Sequence, residues 1–385
     1  MTLTVIQERP LIRCKGVYYQ VNPGNIEKYI KHCDHLIYCA SCFEEYDQQK
    51  VSKYTKIDYN NVELCIIKRS VLKDTFYTSV YNKKVMREAI YKADLVVIKI
   101  PSITIGPWAF RELKKNSKPF IVEMIACAWD SYWYHSLKGK LLAPYSYLVN
   151  RWMVKNAPNV HYVTSQFLQS RYPNDGNAMA CSNVMLEAKS AAVLEERLHF
   201  ISNSVSDTPI KLGTAGGVDV RFKGQQYVIK ALGVLKKKGV IMEYYLAGGG
   251  SQNYLKRVAE ESDVAQQVHF LGAVPRQKMA EFYDSLDVYI HPSLAEGLPR
   301  VLIEAESRAL PAFGARAAGT PELLNPECVF EKQNVEDIVS HLEHISKEKL
   351  LRYAKENFER SKEYDYRVLE ERRSRFYNDL VNSNK

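Results

Sequence analysis

The chain has 385 residues, enough for two domains of ordinary size that each bury their own hydrophobic core. Its content of 46% hydrophobic and 25% charged residues is typical of a globular protein and argues against a disordered or fibrous one. No apolar run approaches the ~20 residues of a membrane-spanning helix, and the N-terminus lacks the layout of a signal peptide. The eight cysteines are scattered, so we expect free thiols in a reducing cytosol.

The net charge of +9 comes entirely from the first half of the chain. Residues 1–200 contain 27 Lys and Arg against 18 Asp and Glu, whereas residues 201–385 contain 26 of each kind. A local excess of positive charge favours an anionic partner. We therefore expect the first half to face something anionic.

The first half predicts buried strands that alternate with helices. Residues 94–101 are apolar except for Asp94 and Lys99 and do not alternate with polar residues, which is typical of a parallel strand covered on both faces. Further strands are predicted at residues 3–6, 35–40, 62–68, 119–125 and 160–164. Because helix-length segments separate these strands, the pattern indicates βαβ units.

Between Asp130 and Asp175 the chain contains no acidic residue. Residues 131–172 combine Lys and Arg with many Trp and Tyr, which suits the headgroup region of an anionic membrane. An aromatic core with a solvated basic face explains the same composition equally well. A nucleic-acid surface is a third alternative, but no DNA- or RNA-binding motif accompanies it, so we expect no nucleic-acid partner.

The second half begins after a polar stretch, residues 200–209, which predicts an interdomain linker. A strand from Ile210 leads into a glycine-rich turn, and Lys223 then precedes a helix that extends to Lys237. Two more strands are predicted at residues 244–247 and 268–272. Glycines follow or end all three strands: Gly216, Gly217, Gly248, Gly249 and Gly272.

Residues 291–305 follow an apolar strand and predict a turn and then a helix. Glu296 lies in the Gly/Pro-containing turn, and Glu304 lies within the apolar helical pattern that follows. Pro299 suits the first turn of that helix, where its missing N–H is not needed. Free amides at a helix start attract phosphate, and a carboxylate further along can accept both hydroxyls of a ribose. The stretch therefore predicts a nucleotide-sugar site.

The spacing of Glu296 and Glu304 within E-G-L-P-x-x-x-x-E-A resembles the signature of the retaining glycosyltransferase family 4, which has the GT-B fold. Residues 309–314 are similar to the family's "G-x-P-V-I" strand, and residues 319–323 resemble its "G-G-x-x-E-L" loop. The ordered series of motifs extends over residues 211–340. The resemblance implies an α/β protein with two Rossmann-like β/α/β domains that face a central cleft.

The resemblance also implies a division of the chain. We expect an acceptor-binding domain over residues 1–203 and a donor domain, which binds the nucleotide sugar, over residues 209–363. Residues 364–385 are expected to form a helix that crosses back to the N-terminal domain.

Several donor-site residues follow from matching the family's motifs. Its "G-R-L-x-x-x-K-G" motif places its Lys on Lys223 and its Arg on Val218, so Arg221 is the nearest cation that can replace that Arg. By resemblance, Lys223 and Arg221 stabilise the leaving diphosphate, Glu296 contacts the donor sugar and Glu304 contacts the ribose. The other donor-binding candidates are Gly297, Leu298, Pro299, Gly216, Gly217, Gly248, Gly249 and Gly272.

In the first half, the resemblance indicates fewer residues. Many family members carry a Gly-Gly loop that lines the acceptor site, and here only Gly16 occupies that part of the chain. Many also have a His or an acid after the strand that corresponds to residues 119–125. The candidates here are Asp130 and Glu123, although Asp130 is equally well explained as a solvated carboxylate at a strand end.

We expect neither a metal nor a cofactor. Metal-dependent glycosyltransferases of the other main fold use Asp-x-Asp ligands, which this sequence lacks, and no His/Asp cluster has metal-ligand spacing. Cations and helix amides can stabilise a departing diphosphate instead. The resemblance thus implies a retaining, metal-independent glycosyltransferase of the hexosyltransferase type.

The expected function is polysaccharide or glycoconjugate assembly in the cytoplasm, with a saccharide or lipid-linked saccharide as acceptor. The basic, aromatic residues 131–172 would then place the protein peripherally at the inner face of the membrane. Two alternatives remain open at this point. One is a GT-B epimerase, which releases an altered sugar nucleotide without an acceptor, and the other is a non-catalytic GT-B protein that binds lipid or a partner chain.

Overall fold

The computed structural model describes residues 1–20, 26–51, 54–68, 75–204 and 208–382. The strands are β1 (Thr2–Ile6), β2 (Leu11–Cys14), β3 (Val17–Gln20), β4 (His35–Glu44), β5 (Thr55–Lys56), β6 (Val62–Ile67), β7 (Leu95–Ile100), β8 (Phe120–Met124), β9 (Asn159–Tyr162), β10 (Asn177–Ala180), β11 (Ile210–Ala215), β12 (Met242–Ala247), β13 (Val268–Gly272), β14 (Val288–His291), β15 (Ala312–Ala315) and β16 (Val329–Phe330). The helices are α1 (Glu27–Ile30), α2 (Gln48–Val51), α3 (Thr75–Lys92), α4 (Ile105–Asn116), α5 (Ala128–Trp133), α6 (Leu137–Asn156), α7 (Phe167–Arg171), α8 (Ala191–Asn203), α9 (Gln225–Lys237), α10 (Asn253–Glu261), α11 (Met279–Asp284), α12 (Arg300–Glu306), α13 (Val335–Glu343), α14 (Lys347–Ser361) and α15 (Tyr366–Asn382).

The chain forms two compact units. The first unit contains Met1–Tyr132, Lys140–Asn183 and Leu369–Lys385, and the second contains Trp133–Gly139 and Val184–Val368. Most of α15, from Leu369 onward, therefore belongs to the first unit.

The second unit begins earlier than the boundary expected at residues 203–209. Helix α8 belongs to the second unit because its contacts are there: the buried Arg197 guanidinium donates to the carbonyls of Leu286 (2.6 Å) and Tyr283 (2.9 Å). The ammonium of Lys347 also donates to the Ser202 carbonyl at 2.9 Å. Of the expected linker, residues 205–207 lie outside the described residues.

The sheet of the first unit has the strand order β10-β9-β8-β7-β1-β4-β2-β3-β5, and β6 also pairs with β4. Strands β10, β9, β8, β7, β1, β4 and β6 are parallel. Every residue of β7 is buried, as expected for a continuous apolar strand between two layers of helices. Strands β2 and β3 form an antiparallel hairpin at one side of this parallel core.

The sheet of the second unit has the order β13-β12-β11-β14-β15-β16, and every pairing in it is parallel. Counted within the unit, this order is 3-2-1-4-5-6, the doubly wound arrangement of a Rossmann-like fold. The direction of winding reverses between β11 and β14. In such sheets, ligands bind outside the carboxyl ends of the strands at this reversal.

Over the described residues, no helix combines the length and the apolar character needed to cross a membrane.

Candidate functional site

Two glycine-rich loops meet at the carboxyl ends of β11 and β12. The Val218 amide donates to the Gly249 carbonyl at 3.1 Å, and the Gly216 amide donates to the Ala247 carbonyl at 2.9 Å. A Cβ at Gly248 would lie only 1.8 Å from the Gly216 carbonyl oxygen, so a side chain there would force the two loops apart. The glycines singled out in the sequence thus permit a close approach of two backbones beside the reversal point.

A short turn carries Lys223 to the loop that follows β14. Gly224 ends this turn with a φ of +76°, and a Cβ there would lie 2.0 Å from the Pro292 carbonyl oxygen. The Leu294 amide donates to the Phe222 carbonyl at 2.8 Å, which ties the turn to the loop from the other side. Backbone contacts therefore fix the position of Lys223 relative to the loop that contains Glu296.

Lys223 and Glu296 are in direct contact. The Lys223 Nζ lies 2.6 Å from the Glu296 Oε1, and the two side chains are 23% and 17% exposed. Burial alone would raise the pKa of Glu296, but the contacts with Lys223 and His291 together outweigh burial and hold that pKa well below its usual range. Glu296 is therefore ionised at neutral pH, and the pair remains open enough for a ligand to reach it.

His291 is a site residue that the sequence analysis missed. Its side chain is 2% exposed, and its Nε2 lies 3.5 Å from the Glu296 Oε1. Within the described part of the chain, neither of its ring nitrogens has a hydrogen-bond partner that meets normal geometry, and Glu296 is the acidic group it contacts. A buried imidazole whose polar atoms are not satisfied is unusual and often marks a functional position. The available signal was its place as the last residue of β14, immediately before the turn.

Glu304 lies on α12 and has a partner of its own. The Tyr283 hydroxyl donates to its Oε2 at 3.2 Å. Burial raises the pKa of Glu304, and the nearby Arg300 and the Tyr283 hydrogen bond only partly oppose that rise. The two glutamates of the sequence motif thus differ electrostatically: one is held firmly ionised, and the other is easier to protonate.

Arg221, the expected second cation, does not join the Lys223–Glu296 pair. Its guanidinium lies over the Tyr254 ring, 4.4 Å from the ring centre, and the side chain is exposed.

The other donor-site candidates lie in the loops around the Lys223–Glu296 pair. Leu298 and Pro299, which follow Glu296 in the chain, are buried, and the Gly297 carbonyl accepts from the Gly319 amide at 2.9 Å. Gly217 lies beside the β12 loop, and Gly272 ends β13 with a φ of +71°.

The candidates of the first unit lie in other settings. Gly16 forms the two-residue turn of the β2–β3 hairpin with Lys15, since Cys14 pairs with Val17. Asp130 is buried on α5 rather than solvated, with 5% exposure.

Glu123 is a fully buried member of a charged network on β8. Its Oε1 accepts from Lys28 at 2.5 Å and from Asn183 at 2.7 Å, while the Tyr29 hydroxyl donates to its Oε2. The Lys28 ammonium, together with His161 and Lys99, overcomes burial and holds the pKa of Glu123 well below its usual range. With its oxygens occupied and 0% exposure, Glu123 is a structural ion rather than a group open to substrate.

The described residues contain no group of three or more His, Cys, Asp or Glu side chains arranged to hold a metal ion.

Part of the second unit is similar to a known protein family. Residues 199–362 match the family model of the glycosyl transferases group 1. Protein CapJ from Staphylococcus aureus is 32% identical over 250 residues, which cover 64% of this chain and 61% of CapJ. An amylovoran biosynthesis glycosyltransferase, AmsK from Erwinia amylovora, is 25% identical over 154 residues, which cover 38% of each chain. The matched regions thus span less than two thirds of these relatives.

Solved structures with the same fold align with almost the whole chain. Sucrose-phosphate synthase from Thermosynechococcus elongatus aligns with a TM-score of 0.73 at 15% identity and covers 99% of both chains. Anabaena HepE in complex with UDP aligns with a TM-score of 0.65 at 14% identity, covering 98% of this chain and 99% of HepE. The fold is therefore the α/β GT-B fold with two Rossmann-like sheets.

Proposed function

We propose that this protein transfers a sugar from a nucleoside-diphosphate sugar to an acceptor, because residues 199–362 match the family model of the glycosyl transferases group 1. The observation that carries the proposal is the Lys223–Glu296 pair, 2.6 Å apart at the reversal point of the second sheet. This is where doubly wound sheets bind nucleotides. The cation and the carboxylate offer partners for a diphosphate and for sugar hydroxyls.

In the proposed mechanism, Lys223 stabilises the negative charge that grows on the departing diphosphate. The turn and the β14 loop hold the ammonium in place before the reaction, so little reorganisation is needed. Glu296 accepts hydrogen bonds from hydroxyls of the donor sugar, and its low pKa keeps it ionised for that role. Glu304 accepts hydrogen bonds from the ribose.

Arg221 requires a rearrangement before it can assist. An exposed stack on Tyr254 is worth only about 0.5–1 kcal/mol, so a bound diphosphate offers enough to displace it. We propose that Arg221 turns toward the phosphates when the donor binds and that the transfer needs no metal. Retention of configuration and a hexosyl donor are proposed from the resemblance to family 4.

We propose a uridine nucleotide as the carrier, because HepE has been solved with UDP and with UDP-glucose. The proposed acceptor is a saccharide or a lipid-linked saccharide of a polysaccharide pathway. AmsK, named for amylovoran biosynthesis, supports this setting. We further propose that the protein works in the cytoplasm, peripherally at the inner face of the membrane.

A thermal-shift screen of nucleotide sugars tests the donor site. A ligand at about 100 times its dissociation constant stabilises the folded state by about 2.7 kcal/mol, which is readily detected. We expect a uridine-diphosphate sugar to raise the melting temperature of the parent, and of protein treated with EDTA, and to have a much smaller effect on Lys223→Ala. No shift with any nucleotide sugar would refute the proposal.

Product analysis separates transfer from its alternative. The proposed transferase consumes the nucleotide sugar and releases the nucleoside diphosphate. An epimerase would return an altered sugar nucleotide with the diphosphate still attached, and that product would replace the proposal with the epimerase function.

A further inference from the structure

The outer face of α6 carries a row of large apolar side chains. Leu141, Tyr145, Leu148 and Trp152, which we call the α6 stripe, are 82%, 53%, 63% and 39% exposed. Their spacing of four, three and four residues places them on one face of the helix. All four residues belong to the first unit.

The inner face of α6 combines the buried apolar residues Ala143, Met153 and Val154 with two buried polar ones. Ser146 and Asn150 are both fully buried, and the Ser146 hydroxyl donates to the Ala128 carbonyl at 3.2 Å. The Asn150 Oδ1 accepts from the Ser102 amide at 2.9 Å. Apolar packing and specific hydrogen bonds therefore attach α6 to the first unit, and the edge of Trp152 also packs against Phe110 of α4. The other large apolar side chains of the stripe are exposed to solvent. A contiguous apolar face of this kind marks an interaction surface.

The surroundings of the stripe are basic. Lys140 and Lys155 lie exposed near its two ends, and the exposed Arg111 of α4 lies 5.3 Å from the Trp152 ring centre. Lys114 and Lys115 of α4 are exposed as well. The one acidic residue on α4, Glu112, is paired with Arg87 at 2.9 Å.

This structure divides the acid-free interval of residues 131–172 into two parts. Tyr162 and Tyr172 are buried and belong to the core, so the aromatic-core interpretation holds for them. The exposed apolar residues of the interval are concentrated on α6.

We propose that α6 lies in the interface of an anionic lipid bilayer, with the α6 stripe inserted at the level of the headgroups and the first acyl carbons. Apolar and aromatic side chains flanked by cations are what such an interface binds. From Leu141 to Trp152 the stripe is about 16 Å long, so the helix can lie flat along the surface. The proposal rests on the proposed function, because it assumes a lipid-linked acceptor. The α6 stripe would hold the first unit at the membrane surface in which that acceptor resides.

A second copy of the chain is the competing occupant of the stripe. In a two-fold dimer the same patch faces itself. Lys140 and Lys155 would then bring like charges together at both ends of the contact, and the sequence of α6 contains no acidic residue. An anionic bilayer supplies the opposite charge, which is why we favour it.

Flotation of the full chain with lipid vesicles tests the proposal. We expect the parent to float with vesicles of phosphatidylglycerol and phosphatidylcholine in equal parts, to float weakly with pure phosphatidylcholine, and to detach as salt screens the charge. The variant Leu141→Ser/Leu148→Ser should bind the anionic vesicles at least tenfold more weakly. Tyr91→Ser is the matched control, since Tyr91 is 61% exposed on α3 of the same unit, and it should bind like the parent.

Several results would overturn the proposal. They are equal flotation with neutral and anionic vesicles, no flotation of the parent, and parent-like binding by the stripe variant. A parent that sediments as a dimer while only the stripe variant is monomeric would assign the stripe to self-association instead. The thermal shift with a uridine-diphosphate sugar, measured without vesicles, should be the same in parent and stripe variant. Loss of that shift in the parent would count against the proposed function, independently of the membrane result.

Discussion

Both units contain parallel strands whose direction of winding reverses once, but different side chains lie at the two reversal points. In the first unit, the direction of winding reverses between β1 and β7. The carboxylate of Glu8, which follows β1, occupies this position. Glu8 Oε1 accepts from the Ser102 hydroxyl at 2.6 Å and from the amides of Thr104 (2.9 Å) and Ile105 (3.2 Å) at the start of α4. In the second unit, the corresponding position presents Lys223 and the unsatisfied His291.

This difference shows how one topology serves two roles. A helix start attracts an anion, and in the first unit the protein's own side chain is that anion. The second unit presents a cation instead and keeps the groups around it partly exposed. The reversal point of the first unit is thus already occupied by an anionic side chain, whereas we propose that the reversal point of the second unit binds phosphate.

The largest effect that this comparison predicts is on the stability of the first unit. Burial lowers the pKa of Lys28 to about 7 even beside Glu123, and we take the pair as ionised because Glu123 is held ionised by Lys28, His161 and Lys99 together. Glu123→Gln removes the counter-charge of Lys28, and breaking a buried pair in this way costs about 3–5 kcal/mol. We expect the urea midpoint of the first unit's unfolding transition to fall accordingly. In the control Glu63→Gln, which removes an exposed pair with Lys92, the change should stay within about 1 kcal/mol. Equal changes in the two variants would mean that Glu123 is not a structural ion.

The sequence predicts the second unit better than the first, for a physical reason. The stretch around Glu296 and Glu304 is local: strand, turn and helix are consecutive, so the pattern predicts β14 and the helix that starts at Arg300. Glu123 belongs to a network that joins Lys28, Asn183 and β8, residues far apart in the chain. No local pattern distinguishes such a carboxylate from a catalytic one.

In the second unit, the contacts of Arg221 and His291 also could not be predicted from the local sequence. Arg221 is adjacent to the motif in sequence, but its stack on Tyr254 depends on α10. His291 contacts Glu296 only because the turn folds back on the strand end. In both cases the contact depends on how elements pack, which neither residue type nor spacing reveals.

The next effect tests whether the second unit's reversal point is a reacting site. Lys223→Ala should lower kcat on the order of 10²-fold or more, because it removes a fixed electrostatic group that acts as the diphosphate departs. Lys230→Ala, which removes an exposed lysine from α9, is the matched control and should retain parent turnover. Steady-state rates with the donor found in the thermal-shift screen give the comparison. If a folded Lys223→Ala variant turned over like the parent, the reversal point of the second unit would not be the reacting site.

The two glutamates of the second unit should separate binding from turnover. Glu304→Ala should weaken UDP binding by about 1.5–3 kcal/mol, the range for hydrogen bonds to a charged group. Glu296→Ala should leave UDP binding nearly unchanged while turnover falls, because Glu296 is proposed to contact the sugar. Calorimetry with UDP and steady-state rates on both variants measure this separation. If the two variants lose UDP affinity equally, the roles assigned to the two carboxylates are wrong.

The smallest predicted effect is a difference in how the same two carboxylates titrate. Burial raises the pKa of Glu304, whereas the contacts with Lys223 and His291 outweigh burial and lower the pKa of Glu296. Glu304 must be ionised to accept both ribose hydroxyls, so UDP affinity should fall as the pH is lowered through its raised pKa, at a higher pH than an ordinary carboxyl would give. Below that pKa, the loss attributable to Glu304 is at most about tenfold per pH unit. The phosphates of UDP also titrate, so the measurement is the parent's calorimetric pH profile minus that of Glu304→Gln. The control Glu281→Gln, exposed on α11, should keep the parent's profile. A parent profile identical in shape to that of Glu304→Gln would show that Glu304 does not hold the ribose.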